Sequence, residues 1–193
     1  MIRLSLSLVI TLAVVALAGC ASSPKADFYT LSQQASGDSG RPVAPLTVLV
    51  GQVSIPELVD RPQIVTRAGE NHVTIDEFAR WADPLKSQIP RVVAADLSQL
   101  LNSPRVSVTP MSGDPTWRVR LDVQRFDADI GEAATVDVLW SVLPPGKASP
   151  ITGRTTVREP AAGAGYDPLV SAWSRGLATV SRDIASAIRP ASP

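Results

Sequence analysis

One cysteine stands among 193 residues, at position 20, and the residues before it decide what its thiol can do. Leu17, Ala18 and Gly19 precede it directly. Small side chains there fit a narrow peptidase cleft, and a thiol can carry a diacylglyceryl group as a thioether. Leu17-Ala18-Gly19-Cys20 has the form of a lipobox, with Cys20 as the lipid attachment point. Upstream, Arg3 gives a short positive region, and Leu4 to Leu17 is uncharged and mostly apolar. A membrane-spanning helix needs ~20 apolar residues. This run is shorter and ends in small residues, the shape of a signal peptide. Residues 1–19 are therefore read as a cleaved lipoprotein signal. One acyl chain binds a membrane only marginally and two anchor it stably, so two or three chains on Cys20 suffice. With no second cysteine, no intramolecular disulfide can form.

Little else in the chain offers chemistry. His72 is the single histidine and sits in a predicted hairpin. With no second histidine and no other thiol, zinc would need carboxylates for nearly every ligand, and no metal site is expected. A Ser-His-Asp triad is arithmetically available, but no G-x-S-x-G elbow accompanies it. Neither G-x-x-x-x-G-K-[ST] nor G-x-G-x-x-G occurs. The expectation is a protein that is not an enzyme and holds no cofactor beyond the acyl chains on Cys20. Arg118, Arg120 and Arg125 could make a basic stripe, but Asp122 and Asp127 interrupt it, so a solvated sheet face is expected. The four tryptophans (81, 117, 140 and 173) lie on the apolar faces of their elements and are read as core. Removing residues 1–19 leaves 174 residues, with 17 basic and 18 acidic side chains once Arg3 is gone. That near-neutral balance gives no footprint for nucleic acid.

Residues 20–27 are the lipidated cysteine and a short tether, whose seven residues Ala21 to Asp27 reach at most ~25 Å at ~3.4 Å per residue. A single domain, 28–189, follows, with a tail at 190–193. Phe28–Leu31 is strand-like, and Ser32–Pro45 reads as a mobile loop. Leu46–Ile55, Pro62–Arg67 and His72–Asp76 are predicted strands, the last two joined by a turn containing Gly69. A helix is expected from Asp83-Pro84, with Asp83 as N-cap, ending at Ser103-Pro104. Its apolar stripe includes Leu85, Ile89, Val93 and Leu97, and Pro90 should kink it. Trp117, Val119, Leu121 and Val123 alternate with Arg118, Arg120, Asp122 and Gln124, which predicts one buried and one wet face. Val136, Val138, Trp140 and Val142 repeat the alternation, and Ile151–Glu159 is a third strand. Asp167-Pro168 opens a second helix, with Leu169, Trp173, Leu177, Val180, Ile184 and Ile188 on its buried stripe. The order strands, helix, strands, helix implies an α+β two-layer sandwich: a mainly antiparallel sheet with both helices on one face.

Several segments resemble the PqiC/YmbA family of auxiliary lipoproteins of ABC-type transport systems. They are Phe28-Tyr29-Thr30-Leu31, the stretch Val53–Arg67 with its D-R-P-Q-I-V core, Phe78–Leu85 with R-W-A-D-P-L, and Tyr166–Ile188. The resemblance implies a non-catalytic subunit that docks a periplasmic MCE-domain assembly at the membrane during lipid transport. An MCE ring also invites a homo-oligomer of the lipoprotein. Ala21, where an aspartate would tend to retain a lipoprotein in the inner membrane, favours the inner leaflet of the outer membrane, with the domain in the periplasm. Asp60-Arg61-Pro62-Gln63 is the candidate docking turn, stiffened by Pro62 so that it could present Arg61 outward; alternatively, Asp60 and Arg61 satisfy loop backbone. The other functional reading is an envelope-maintenance or assembly lipoprotein that acts without a transporter.

Overall fold

The computed structural model describes residues 25–36, 46–110, 116–146 and 149–189. The signal, Cys20, residues 37–45 of the long loop and the 190–193 tail lie outside these residues. Strands β1 (Asp27–Tyr29), β2 (Thr47–Ser54), β3 (Gln63–Arg67) and β4 (Val73–Trp81) precede helix α1 (Leu85–Leu100). Strands β5 (Val106–Ser107), β6 (Thr116–Asp129), β7 (Ala133–Leu143) and β8 (Ile151–Pro160) precede helix α2 (Asp167–Ile188). The protein is α+β, with two helices packed against an eight-stranded sheet.

Most registered pairs of the sheet are antiparallel, as expected, but it is mixed rather than purely antiparallel. The three hairpins β3–β4, β6–β7 and β7–β8 are antiparallel. However, β2 runs parallel to β5 and β6, β1 parallel to β4, and Arg67 of β3 pairs in parallel with Asp129 of β6. The cause is the long route between β2 and β6, which crosses the sheet through α1 and so returns in the same direction. Residue patterns identify strands but not their neighbours, and the two-residue β5 carries no pattern at all.

Alternation holds where it is strongest. On β6, Trp117, Val119, Leu121 and Val123 are buried, while Arg118, Arg120, Asp122 and Gln124 are exposed. The register with β7 then shifts between Val123 and Arg125. This bulge leaves Gln124 and Arg125 both exposed and returns Phe126 and Ala128 to the core, as an extra residue in one strand must.

The helix starts differ from expectation. Pro84 occupies the N-cap of α1 without a side-chain bond, and Asp83 binds Arg91 instead of a backbone amide. The α2 helix begins at Asp167 with Tyr166 as N-cap; the Asp167 carboxylate still favours the positive end of the helix dipole. The α1 helix continues through buried Pro90, whose missing N–H leaves the Lys86 carbonyl without its usual partner. It ends in a Schellman motif. Asn102 takes a left-handed φ of 48°, and the Asn102 and Ser103 amides bond Gln99 and Ser98 carbonyls.

The core centres on an aromatic cluster. Phe126 stacks on Trp173 at 5.1 Å, and Trp81 lies 5.5 Å from Trp173 and 6.4 Å from Phe126. Trp81, Trp117 and Trp173 are buried; Trp140 is half-buried and donates to Thr155 Oγ1 at 3.0 Å. Close packing of α2 on β7 depends on Gly176, where an added Cβ would meet Val136 Cγ2 at 2.7 Å. Gly176→Ala gains up to ~1 kcal/mol of helix propensity. Against that, overpacking a filled core costs ~1–3 kcal/mol, and the stiff, fully buried Val136 has nowhere to turn. The expected net is a loss of about 1–2 kcal/mol, readable in chemical denaturation.

The described start of the long loop is pinned rather than mobile. The Leu31 amide donates to Gln88 Oε1 at 2.8 Å, and that of Ser32 to Ser174 Oγ at 3.1 Å. Gln34 and Ala35 amides both donate to Asp96 Oδ1, at 3.1 and 2.9 Å. Residues 31–35 thus form a strap joined to α1 and α2, with Leu31 and Ala35 buried beneath it.

Candidate functional site

Four separate stretches of sequence meet at the corner where β1 and β4 end and β3 begins. The register sets Phe28 beside Arg80 and Tyr29 beside Trp81, and Arg80 also pairs with Gln63. The Trp81 amide donates to the Pro62 carbonyl at 2.7 Å, and the Ala82 amide to the Tyr29 carbonyl at 2.8 Å. Tyr166, at the head of α2, packs its ring 5.8 Å from Tyr29 and donates its hydroxyl to Asp76 Oδ2 at 2.9 Å. Asp76 Oδ1 in turn accepts from the Phe78 and Ala79 amides. Those amides, Phe78 first, and then the tyrosine hold the Asp76 carboxyl below its usual range. Burial and the Asp76 carboxylate push Tyr166 up to about 12, so it remains a donor at any physiological pH. This polar knot fixes the corner.

Within the corner lies a cavity of about 300 Å³, lined by Asp60, Arg61 and Pro62 from one segment and by Trp81 to Pro84 from another. Both acids are already engaged. Asp60 pairs with Lys86 at 2.5 Å and Asp83 with Arg91 at 2.6 Å. These are exposed pairs and contribute at most ~1 kcal/mol each, and neither carboxylate pairs with Arg61. Arg61 is half-buried, and its Nε is buried with no hydrogen-bond partner among the described residues. Gln63 leaves the cavity and donates to Glu77 Oε2 at 3.0 Å. So Arg61 lines the cavity, and among the described residues neither its side chain nor that of Asp60 bonds loop backbone. An unpartnered guanidinium beside an indole can take an anion in a bidentate geometry that no lysine reproduces. The convergence of the 60–62 and 81–84 segments is not visible in sequence. Two motifs some twenty residues apart meet only because β3 and β4 fold back as a hairpin.

The remaining candidates lie elsewhere. His72 is exposed at the β3–β4 turn, where its carbonyl accepts from Ala68. Arg118 and Arg120 are exposed in a broad concavity of about 1160 Å³ on the helix-free sheet face, beside Leu49 and Leu139. There Asp122 accepts from Ser54; farther along β6, Asp127 is held by Arg67 and Arg125. Among the described residues no three His, Cys, Asp or Glu side chains cluster as metal ligands, and no helix is long and apolar enough to cross a membrane.

The family model described as ABC-type transport auxiliary lipoprotein component matches residues 29–185, which span every element above except part of β1 and the end of α2. The chain belongs to that family. As an ABC-type transport auxiliary lipoprotein component it takes an auxiliary rather than a catalytic part, in association with an ABC transporter system. Solved structures share the fold. One uncharacterised protein aligns with a TM-score of 0.71 at 22% identity, covering 86% of this chain and 99% of its own. A Xanthomonas campestris protein of the DUF330 family aligns at 0.69 and 18%, covering 84% of this chain and 94% of its own. No curated protein matches this auxiliary component.

Proposed function

We propose that this chain is the lipid-anchored docking subunit of an MCE-type intermembrane lipid transport system. Acyl chains on Cys20 hold it in the inner leaflet of the outer membrane. The Arg61 corner engages the periplasmic MCE assembly, and the transporter's ATPase supplies the energy. The observation that carries this reading is the Arg61 cavity, a half-buried cation whose two neighbouring carboxylates are bound to Lys86 and Arg91. An acidic group brought by a partner completes it.

The test is cross-linking in intact cells followed by purification of a tagged, Cys20-anchored chain. Recovery of an MCE-domain protein supports the reading. Recovery of envelope-assembly factors with no MCE protein, under efficient cross-linking, overturns it in favour of an assembly lipoprotein. In the same experiment Arg61→Ala is expected to reduce MCE recovery roughly 10- to 100-fold, the equivalent of ~1.5–3 kcal/mol for a hydrogen bond to a charged group. Its melting temperature should change little, because Arg61 Nε has no hydrogen-bond partner among the described residues. Arg61→Lys should rescue poorly. Early melting of Arg61→Ala, or undiminished recovery, would remove Arg61 from the docking surface.

A further inference from the structure

We propose that the face carrying Phe28 and Phe78 lies on the phospholipid surface that holds the Cys20 anchor, with both rings seated among the lipid headgroups. The proposal rests on the reading of Cys20 as lipidated.

Phe28 is 65% exposed and Phe78 47% exposed, whereas the protein's third phenylalanine, Phe126, is 2% exposed in the core. The β1–β4 register explains how two aromatic rings come to be outside. Tyr29 and Trp81 pair and face the helices, where they meet Tyr166 and Trp173. Alternation along the strands turns Phe28 and its partner Arg80 to the opposite side. Phe78 lies two residues before Arg80, on the same side of β4, and is exposed where Arg80 is half-buried. This strand edge is also where the chain leaves the domain toward Cys20.

The tether decides what covers the patch. Only residues 21–27 separate Cys20 from Phe28, a span of at most ~25 Å even when fully extended. Tethering converts contact with the bilayer into an intramolecular event at high effective concentration. Two rings that would bind lipid weakly on a free protein are therefore held at the interface. Charge adds little, because Lys25 and Arg80 are balanced by Asp27 and Glu77 within the same edge. Insertion should thus be aromatic in origin and insensitive to salt, unlike a basic patch on anionic lipid. The Arg61 cavity shares Trp81 with this edge, so a partner bound there is held close to the membrane.

Full-length lipidated protein is reconstituted into phosphatidylethanolamine–phosphatidylglycerol vesicles containing bromine-labelled phospholipid. Phe28→Trp and Phe78→Trp supply fluorescent probes against the four native tryptophans. Ile130→Trp is the control, an exposed position in the turn beyond Asp129, which the Arg67 pairing places at the far end of the β3–β4 hairpin. The added emission at 28 and 78 is expected to be quenched at least threefold more than at 130, equally at low and high salt. Equal quenching at all three positions, with the protein still floating with the vesicles, overturns the proposal and leaves the anchor intact. Failure of the unsubstituted lipidated protein to float, or flotation of Cys20→Ser alongside it, overturns the anchor reading and this face with it.

Discussion

Trp173→Ala is expected to lower stability by about 3–5 kcal/mol, the range for emptying a large aromatic site. For a domain of this size that corresponds to a fall in melting temperature of roughly 6–20 °C. The size of the effect follows from where the ring sits. Trp173 is 1% exposed and stacks on Phe126 with the planes only 7° apart. It also tilts against Trp81, so it joins α2 to β4 and β6 together. Neither rigid ring can collapse into the space left by a third. Trp173→Phe separates packing from polarity. The indole Nε1 is buried with no partner among the described residues, and an unmet buried donor costs ~1–3 kcal/mol. Phenylalanine keeps most of the stacking and removes that donor. Its loss should be small, about 1 kcal/mol. If Phe proved as damaging as Ala, the cluster would depend on the full indole rather than on ring stacking.

The same cluster shows which parts of the fold the sequence makes legible. The stripes along β6, β7 and α2 are read correctly because each residue's burial follows from its own strand or helix period. Of Trp81, Phe126 and Trp173, the two tryptophans could be assigned to the core from sequence; Phe126 falls out of phase with the β6 stripe because of the bulge between Val123 and Arg125. The meeting of the three could not be read there, because it depends on β4 lying next to β3, and β3 next to β6, in a sheet whose parallel pairs are set by a crossover through α1. The Arg61 site has the same character. The D-R-P and W-A-D-P segments are visible as motifs, but the cavity between them exists only once β3 and β4 form a hairpin. Asp83 gives the opposite lesson. A cap rule reads it as N-cap, yet a longer-range cation, Arg91, takes the carboxylate. The strap at 31–35 reads as a loop because its amides have no local acceptors, and these come from Gln88, Asp96 and Ser174 on the two helices.

Asp96 is the acceptor in that set with the largest consequence. It is fully buried on α1, and burial pushes its carboxyl above the usual range, against the pull of the Ala35 and Gln34 amides, Ser181 and Arg182. Ser181 Oγ donates to the Leu177 carbonyl at 2.9 Å and shares that donor with Asp96 Oδ2 at 3.3 Å, while Oδ1 accepts the strap amides. An acid whose folded pKa is raised binds its proton more tightly when folded. Its contribution to stability is therefore complete below the ordinary carboxylate pKa and is lost as pH rises through the raised folded value. Asp96→Asn presents the same acceptor to Gln34 and Ala35 and a donor to Ser181, with no charge to desolvate. The stability of Asp96→Asn relative to the parent should thus increase as pH rises from about 3.5 toward neutrality, measured as the difference in melting temperature between the two proteins. Asp76 and Asp137, whose carboxyls are held low, impose the opposite slope. They are common to both proteins and cancel in the difference. Asp96→Ala removes the acceptor and should cost about 2–4 kcal/mol at low pH, because two strap amides lose their partner near the core, and the cost should shrink as pH rises, because the parent alone carries the titrating carboxyl. A flat difference curve for Asp96→Asn would mean that Asp96 is ionised in the fold, with the strap amides sufficient to offset its burial.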